Sequence, residues 1–385
     1  MDRMIRKFPI GIQNFESLIK DGYVYVDKTA LVYQLANTGR YYFLSRPRRF
    51  GKSLLLSTIE AYMSGKKELF KGLALESLEQ EWEEHPIFHL DLNTEEYKNL
   101  DSLKRRLDNT LSYWEQLYGT RPSETSLPLR FEGIVRRACE QTGHRVVILV
   151  DEYDKPMLQA IGNEELQEEY RSLLKAFYSV LKSQDRYIRL AFLTGVTKFG
   201  KVSVFSDLNN LNDISMDQRY VDVCGLTDKE LHDNFDDDIQ QLGRHCGLSK
   251  EECYVKLKTQ YDGYHFRKSG AGLYNPFSIL NTLAKLEFAD YWFETGTPSF
   301  LAYLLKHSNY QLERITEEQI PGDLLGSVDS MLHNPIPIIY QSGYLTIKGY
   351  DDEFGVYQLG FPNKEVENGY YRYLLPKVLE SKNGK

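Results

Sequence analysis

Apolar residues along this 385-residue chain fall into short continuous runs, separated by longer stretches with helical spacing. The run "YYFLS", apolar and aromatic over Tyr41 to Leu44, reads as a buried strand, and "PIFHLDLN", Pro86 to Asn93, as a second. In "RVVILVDEYDKP" the apolar and β-branched residues do not alternate before they reach two acids. That pattern suits a parallel strand covered on both faces. "YIRLAFLTG" reads as a fourth strand and "RYVDVCGL" as a fifth. Between these runs, Ser53 to Met63 carries Leu55, Ile59 and Tyr62 at helical spacing. Glu164 to Leu181 places Leu166, Tyr170, Leu174 and Phe177 on one stripe. The opening stretch predicts a short helix, a turn at Gly22, an extended piece and a second helix.

Strand–helix alternation through residue 225 predicts a three-layer α/β domain with a mostly parallel sheet. From "LTDKELHDNF" onward the pattern is mostly helical to about Lys306. Then "IYQSGYLTIKGYDDEFGVYQLGFPN" reads as two strands around a polar, glycine-containing turn. The expected organisation is an N-terminal segment (1–40) packed on the core, a core domain (41–225), a helical lid (226–306) and a small C-terminal unit (307–385). No repeat or low-complexity linker interrupts it.

The candidate chemistry lies in the turn after the first strand, "SRPRRFGKS". Gly51, Lys52 and Ser53 supply the second half of the phosphate-binding pattern G-x-x-x-x-G-K-[ST], between a strand and a helix. The first glycine of that pattern falls at Arg46, where Pro47 already restricts the turn. Backbone N–H groups of Arg48, Arg49, Phe50, Gly51, Lys52, Ser53 and Leu54 would curl round phosphates at the positive end of the helix. Lys52 would reach the β- and γ-phosphates and the Ser53 hydroxyl would hold Mg²⁺. The competing reading is a basic surface turn before a helix.

Asp151 and Glu152 follow the strongest strand, about 100 residues after the loop. Asp151 is placed to hold the Mg²⁺ water shell, and Glu152 to polarise an attacking water as general base. The alternative is an ordinary strand end stepping into solvent. Thr194 ends the next strand, which would lie between the two motif strands as in additional-strand ATPases; Thr194 could then sense the γ-phosphate. Its competing reading is a strand-ending Thr-Gly turn. Arg219 could supply charge to a phosphate in cis or across a subunit interface, in competition with Arg48, Arg49, Lys198 and Lys201.

Charge and cysteine usage narrow the field. A formal net charge of −8 is the wrong sign for a protein whose task is coating nucleic acid. The clusters Lys104–Arg106 and Arg136–Arg137 read as solvated faces, and Asp236–Asp238 as a solvated helix start. The four cysteines form no C-x-x-C pair. His245, Cys246 and Cys253 lack the paired spacing of a zinc site, so free thiols are expected. No signal peptide and no apolar run of membrane-spanning length occurs, so a cytoplasmic protein without membrane partners is expected. No nucleophile motif accompanies the histidines.

The segments "YVDKTALVYQL", "YYFLSRPRRFGKSLLLSTIEAY", "LVDEYDKP", "FLTGVTKFGKVSVFSDLNNL", "YDGYHF", "YNPFSILN" and "SGYLTIKGYD" run in order from about Gly11 to Asn363. In these the chain resembles the bacterial AAA-ATPase-like family, whose members often carry a C-terminal PD-(D/E)XK nuclease-like domain. R-P-R-R-F-G-K-S is that family's form of the loop, so Arg46 is not damage private to one chain. The resemblance implies ATP and Mg²⁺ as cofactors, with Lys52, Ser53, Asp151 and Glu152 in the roles above. It puts Tyr25 to Thr29 near the adenine side, and implies a winged-helix-like C-terminal unit with its wing at Tyr344 to Leu359.

No P-D…(D/E)-x-K arrangement follows Pro362, so no nuclease activity is expected from these residues. The expected function is a P-loop ATPase acting as a nucleotide-dependent switch with slow Mg-dependent hydrolysis. The alternative is a nucleotide-dependent protein- or DNA-binding module that hardly turns over. Partners beyond ATP would be a protein or a second copy. DNA is the lesser option, because "GYDDEFG" is acidic where a DNA-reading wing needs Lys or Arg.

Overall fold

The computed structural model describes residues 6–199, 204–205, 208, 210–294, 298–308, 312–317, 319–326, 328, 334–376 and 378–379. The chain divides into two compact units. One comprises Met1–Val26, Arg46–Leu54 and Ser215–Lys385; the other comprises Asp27–Ser45 and Leu55–Ile214.

The second unit is built on a parallel sheet of β1 (Tyr41–Ser45), β2 (Ile87–Asp91), β3 (Val146–Asp151), β4 (Ile188–Gly195) and β5 (Asn212–Asp213). The strand order is β2-β3-β4-β1-β5, and each adjacent pair is parallel. All six residues of β3 are buried, as its unalternating apolar run requires when both faces are covered. The two faces are visible at β2. Phe88 packs on Trp114 of the helix Leu100–Tyr118, ring centroids 4.8 Å apart. Its neighbour His89, on the opposite face, bonds Glu60 through Nδ1 at 2.7 Å. Glu60 belongs to the helix Lys52–Met63, so helices cover both faces and the three-layer expectation holds.

Phe131 of the helix Leu127–Thr142 stacks on Phe177 of the helix Glu164–Tyr178 at 4.7 Å, extending the aromatic layer. The two long helices that cover Phe88 start and stop on local signals. Asn99 and Ser102 form a reciprocal capping box, and Ser126 caps the next N-terminus. Gly143 ends that helix in the left-handed region.

Three expectations fail here. "RYVDVCGL" is not a strand: Val221–Val223 is a single 3-10 turn, and Gly225 at φ +92° stops any extended run. The fifth strand is instead the polar pair Asn212–Asp213, held by backbone pairing to Tyr42 and Phe43. Arg137 is not part of a solvated face; it is buried and forks onto the Glu124 carboxylate. Asp236 to Asp238 lie inside the helix Asp228–Cys246 rather than at its start.

The first unit contains the N-terminal helix α1 (Phe15–Lys20) and the helices Asp228–Cys246, Lys250–Tyr261 and Pro276–Lys285. Leu231, Phe235, Ile239, Leu257 and Ile279 share their core, with Phe8 packed against it. Thr227–Glu230 and Ser249–Glu252 form capping boxes at two of the helix starts. Further on, β6 (Gln319–Pro321), β7 (Thr346–Asp351) and β8 (Val356–Gly360) make an antiparallel sheet in the order β6-β8-β7. The β7–β8 hairpin is the expected pair around the glycine turn; β6 is an additional edge. Glu365, fully buried, accepts hydrogen bonds from Ser278 Oγ and Trp292 N.

In the second unit, α2 (Thr29–Thr38) precedes β1. The loop begins at the residue after Ser45, and α3 (Lys52–Met63) follows it. The four cysteines are unpaired by disulfide. No helix among the described residues is long and apolar enough to cross a membrane.

Candidate phosphate-binding loop and acidic strand end

The loop's backbone is set by two left-handed residues, Arg49 at φ +69° and Gly51 at φ +93°. A side chain at Gly51 would meet no heavy atom within 4 Å, so the backbone angle, not crowding, calls for glycine there. Arg49 adopts the same region without that freedom, at a cost of about 1–2 kcal/mol, and its guanidinium lies over the Phe277 ring at 4.8 Å. Non-glycine residues held in this region cluster at ligand-binding turns.

Lys52 opens α3 and is buried. Its Nζ donates to the carbonyls of Arg46 and Pro47 at 3.0 and 3.1 Å. The ammonium therefore folds back onto its own loop. Ser53 is the next helical residue and half-buried, as is Leu54.

The other loop side chains are absorbed by the first unit. Arg46 is 1% exposed, donates to Ser215 O at 2.6 Å and Val221 O at 3.3 Å, and lies 4.1 Å over the Phe266 ring. Arg48 sits over Trp292, whose indole N–H donates to the Arg48 carbonyl. Burial pulls the Arg48 guanidinium below its ordinary pKa. Phe50 packs edge-on against Tyr264 and Phe266, and its carbonyl accepts from Gly225 N. Gly343 is at φ +89°, and a Cβ there would stand 2.7 Å from Pro47, so both the backbone angle and the space call for glycine. Arg46 is thus held by the Ser215 and Val221 carbonyls and the Phe266 ring.

In the second unit, the ends of β3 and β4 form one acidic edge. Leu44 pairs with Thr194 across β1 and β4, and Val150 with Leu193 across β3 and β4, so β4 lies between the strand that leads into the loop and the strand that carries the acids. Asp151 is 6% exposed; its Oδ1 accepts from Thr194 Oγ1 at 2.7 Å and from Glu152 N at 3.0 Å. The Thr194 hydroxyl therefore orients Asp151. Glu152 sits at φ +50°, like Arg49 a non-glycine residue in the left-handed region, and it is partly exposed.

Two residues of this edge were not singled out from the sequence. Asp154 is buried and accepts from Val196 N, Thr197 N and Thr197 Oγ1. Tyr153 donates its hydroxyl to Thr197 O. Together they fasten the turn after β4, and Gly195 is small because Asp154 and Tyr153 approach to 2.7 Å of where its Cβ would stand. The signal was present as the third acid of "VDEYDKP". Among the basic competitors, Lys198 pairs with Asp213, and Lys201 lies outside the described residues. Arg219, in the first unit, is exposed and forks onto Asp217. Tyr25 packs edge-on against Phe15; Asp27 Oδ1 and Oδ2 accept from Thr29 N and Ala74 N.

A family model described as "Predicted AAA-ATPase" matches residues 9–205, which include the loop, the acidic strand end and Thr194. The chain belongs to this AAA-ATPase family. A relative from Azotobacter chroococcum mcd 1, described as an uncharacterized protein in the vnfD 5′ region, is 38% identical over 378 residues. That alignment takes in 97% of this chain and 71% of the relative. Among solved structures, the Orc1 protein of Aeropyrum pernix in complex with DNA aligns over 95% of this chain and 98% of that one, with 10% identity and a TM-score of 0.29. A similarity that loose establishes no shared fold.

Proposed function

We propose that this AAA-ATPase is a nucleotide-dependent switch that binds Mg-ATP and hydrolyses it slowly. The observation that carries this reading is Lys52, a buried ammonium at the start of α3 held by two loop carbonyls 3.0 and 3.1 Å away. The donor set fits a hard divalent ion: the Ser53 hydroxyl and the Asp151 carboxylate are oxygen ligands, and Thr194 orients the latter. Magnesium, when bound, would neutralise charge developing on the β- and γ-phosphates.

The chain's own residues do the rest. Loop N–H groups at the start of α3 receive the phosphates, and Lys52 leaves the Arg46 and Pro47 carbonyls for them. Glu152 takes the proton of the attacking water. Arg219 contributes charge to the leaving phosphate once it releases Asp217. Both Lys52 and Arg219 start from existing partners, which supports slow turnover.

The clamped loop supports the second reading, a binding module with little turnover. Arg46, Arg48, Arg49 and Phe50 all pack on residues after 214, so a change of loop state is felt directly by the helical segment 226–306, read here as a lid. We read Tyr344 to Leu359, which makes up most of the β7–β8 hairpin, as the wing of a winged unit. Its acidic turn favours a protein or a second copy over DNA as partner.

Phosphate release and equilibrium nucleotide binding by wild type, Glu152→Gln and Arg219→Ala decide between these readings. The switch reading expects all three to bind ATP, with Glu152→Gln slowed on the order of 10²–10⁴-fold and Arg219→Ala also impaired. If wild type and Glu152→Gln both bind and neither hydrolyses, the module reading stands. Unchanged turnover in Arg219→Ala removes that arginine from the site.

A further inference from the structure

Away from the loop, Glu83, His85 and His144 bring one carboxylate and two imidazoles together, with their donor atoms within 4.8 Å of one another. All three belong to the second unit. They lie where β2 and β3 begin, at the opposite edge of the parallel sheet from Asp151 and Thr194.

The segments that carry them are fastened by backbone. His85 N donates to Met63 O at 2.8 Å, Val147 N donates to Pro86 O at 2.8 Å, and Ser64 bridges Glu84. His144 follows Gly143, the left-handed residue that ends the helix Leu127–Thr142. The three donors thus come from two chain segments, 59 residues apart between His85 and His144, which adjacent strands hold side by side.

The hydrogen bonding at His85 is what points to a cation. Its Nδ1 lies 2.8 Å from the Arg145 carbonyl. A carbonyl only accepts, so Nδ1 carries the proton and Nε2 presents its lone pair. That lone pair faces Glu83 Oε2 at 3.4 Å, and the His144 ring stands edge-on at a centroid distance of 5.7 Å. In the neutral ring, two acceptors therefore confront each other with no proton between them. Two donors each about 2.1 Å from one tetrahedral ion stand about 3.4 Å apart. The backbone carbonyl on Nδ1 is the outer partner that fixes the tautomer of a metal-binding histidine.

We propose that Glu83 Oε, His85 Nε2 and a His144 ring nitrogen form a binding site for a borderline divalent transition ion of the zinc class. Two imidazoles and one carboxylate match that class by donor type, with water in the fourth position. His85 is nearly rigid in its buried place, whereas Glu83 is exposed and His144 half-buried, so the latter two close onto the ion. Bound there, the ion clips the start of β2 to the turn before β3. Binding needs no nucleotide.

The test uses the full chain, stripped with chelator, and zinc chloride as the probe, titrated without nucleotide against a chromogenic competitor. The expected result is one saturable equivalent at about micromolar zinc or tighter and a zinc-dependent rise in Tm. Glu83→Ala and His144→Ala should each weaken zinc binding at least about tenfold and lose that rise. Neither residue is in the core, so both variants should fold. His307→Ala, at an exposed histidine elsewhere, should bind as wild type does. Absence of saturable binding in wild type, or equal affinity in wild type, Glu83→Ala and His144→Ala, overturns the proposal.

Discussion

Arg46→Gly, which restores the first glycine of the usual phosphate-loop pattern, is expected to destabilise the protein by about 2–4 kcal/mol and to leave nucleotide affinity no better. The guanidinium is buried and makes charge-assisted bonds to the Ser215 and Val221 carbonyls. It also lies over Phe266. Glycine removes the donor from both acceptors, leaves a cavity beside an aromatic ring, and adds backbone freedom to the unfolded chain worth about 0.5–1 kcal/mol. Arg46→Lys should recover part of the loss, since a flexible ammonium can serve one carbonyl but not two in a fork. Urea midpoints of the three proteins measure this. A glycine variant as stable as wild type would show that the packing round Arg46 is incidental.

Lys52→Ala should show the reverse balance, with turnover falling on the order of 10²–10³-fold and nucleotide binding falling with it. Stability should drop by only about 1–3 kcal/mol, the cost of two loop carbonyls left without a donor. Circular dichroism establishes that the variant is folded, and titration with a fluorescent ATP analogue reads the affinity. Lys52→Arg should not rescue, because a planar fork cannot replace a compact ammonium at that depth. Undiminished binding in Lys52→Ala would dispose of the loop as a phosphate site altogether.

The difference between these two residues marks how far the chain was legible in advance. Strands β1, β3 and β4 announced themselves because a strand buried on both faces needs an unbroken apolar run, whereas β2 shows the alternating burial of a sheet-edge strand. β5 did not: its two polar residues are strand only through backbone pairing with β1, and "RYVDVCGL" imitated a strand until Gly225 turned it. Gly51, Lys52, Asp151 and Thr194 could be singled out because their chemistry depends on neighbours in sequence or on strand ends. The fates of Arg46, Arg48 and Arg49 could not, since the rings that receive them lie more than 200 residues onward. Arg137 was misjudged for a different reason: its partner Glu124 is close in sequence, on the preceding loop, but nothing in the local pattern shows that the loop folds back onto the helix. His85 and His144 become neighbours only through the pairing of β2 with β3.

The clamping of the loop by later residues also has a timetable. At about 5–20 residues per second, roughly 10–50 s pass between the emergence of Arg49 and that of Phe277. Until then Arg46, Arg48, Arg49 and Phe50 lack the rings and carbonyls that shape their backbone. The nascent protein should therefore stay blind to nucleotide until most of its length has been translated, whatever the state of its sheet. Chains stalled on the ribosome after residue 214 should show no ATP-dependent protection of the loop from protease, and chains extended past residue 385 should show it. Protection in the shorter chain would mean that the loop acquires its form without help from the later half.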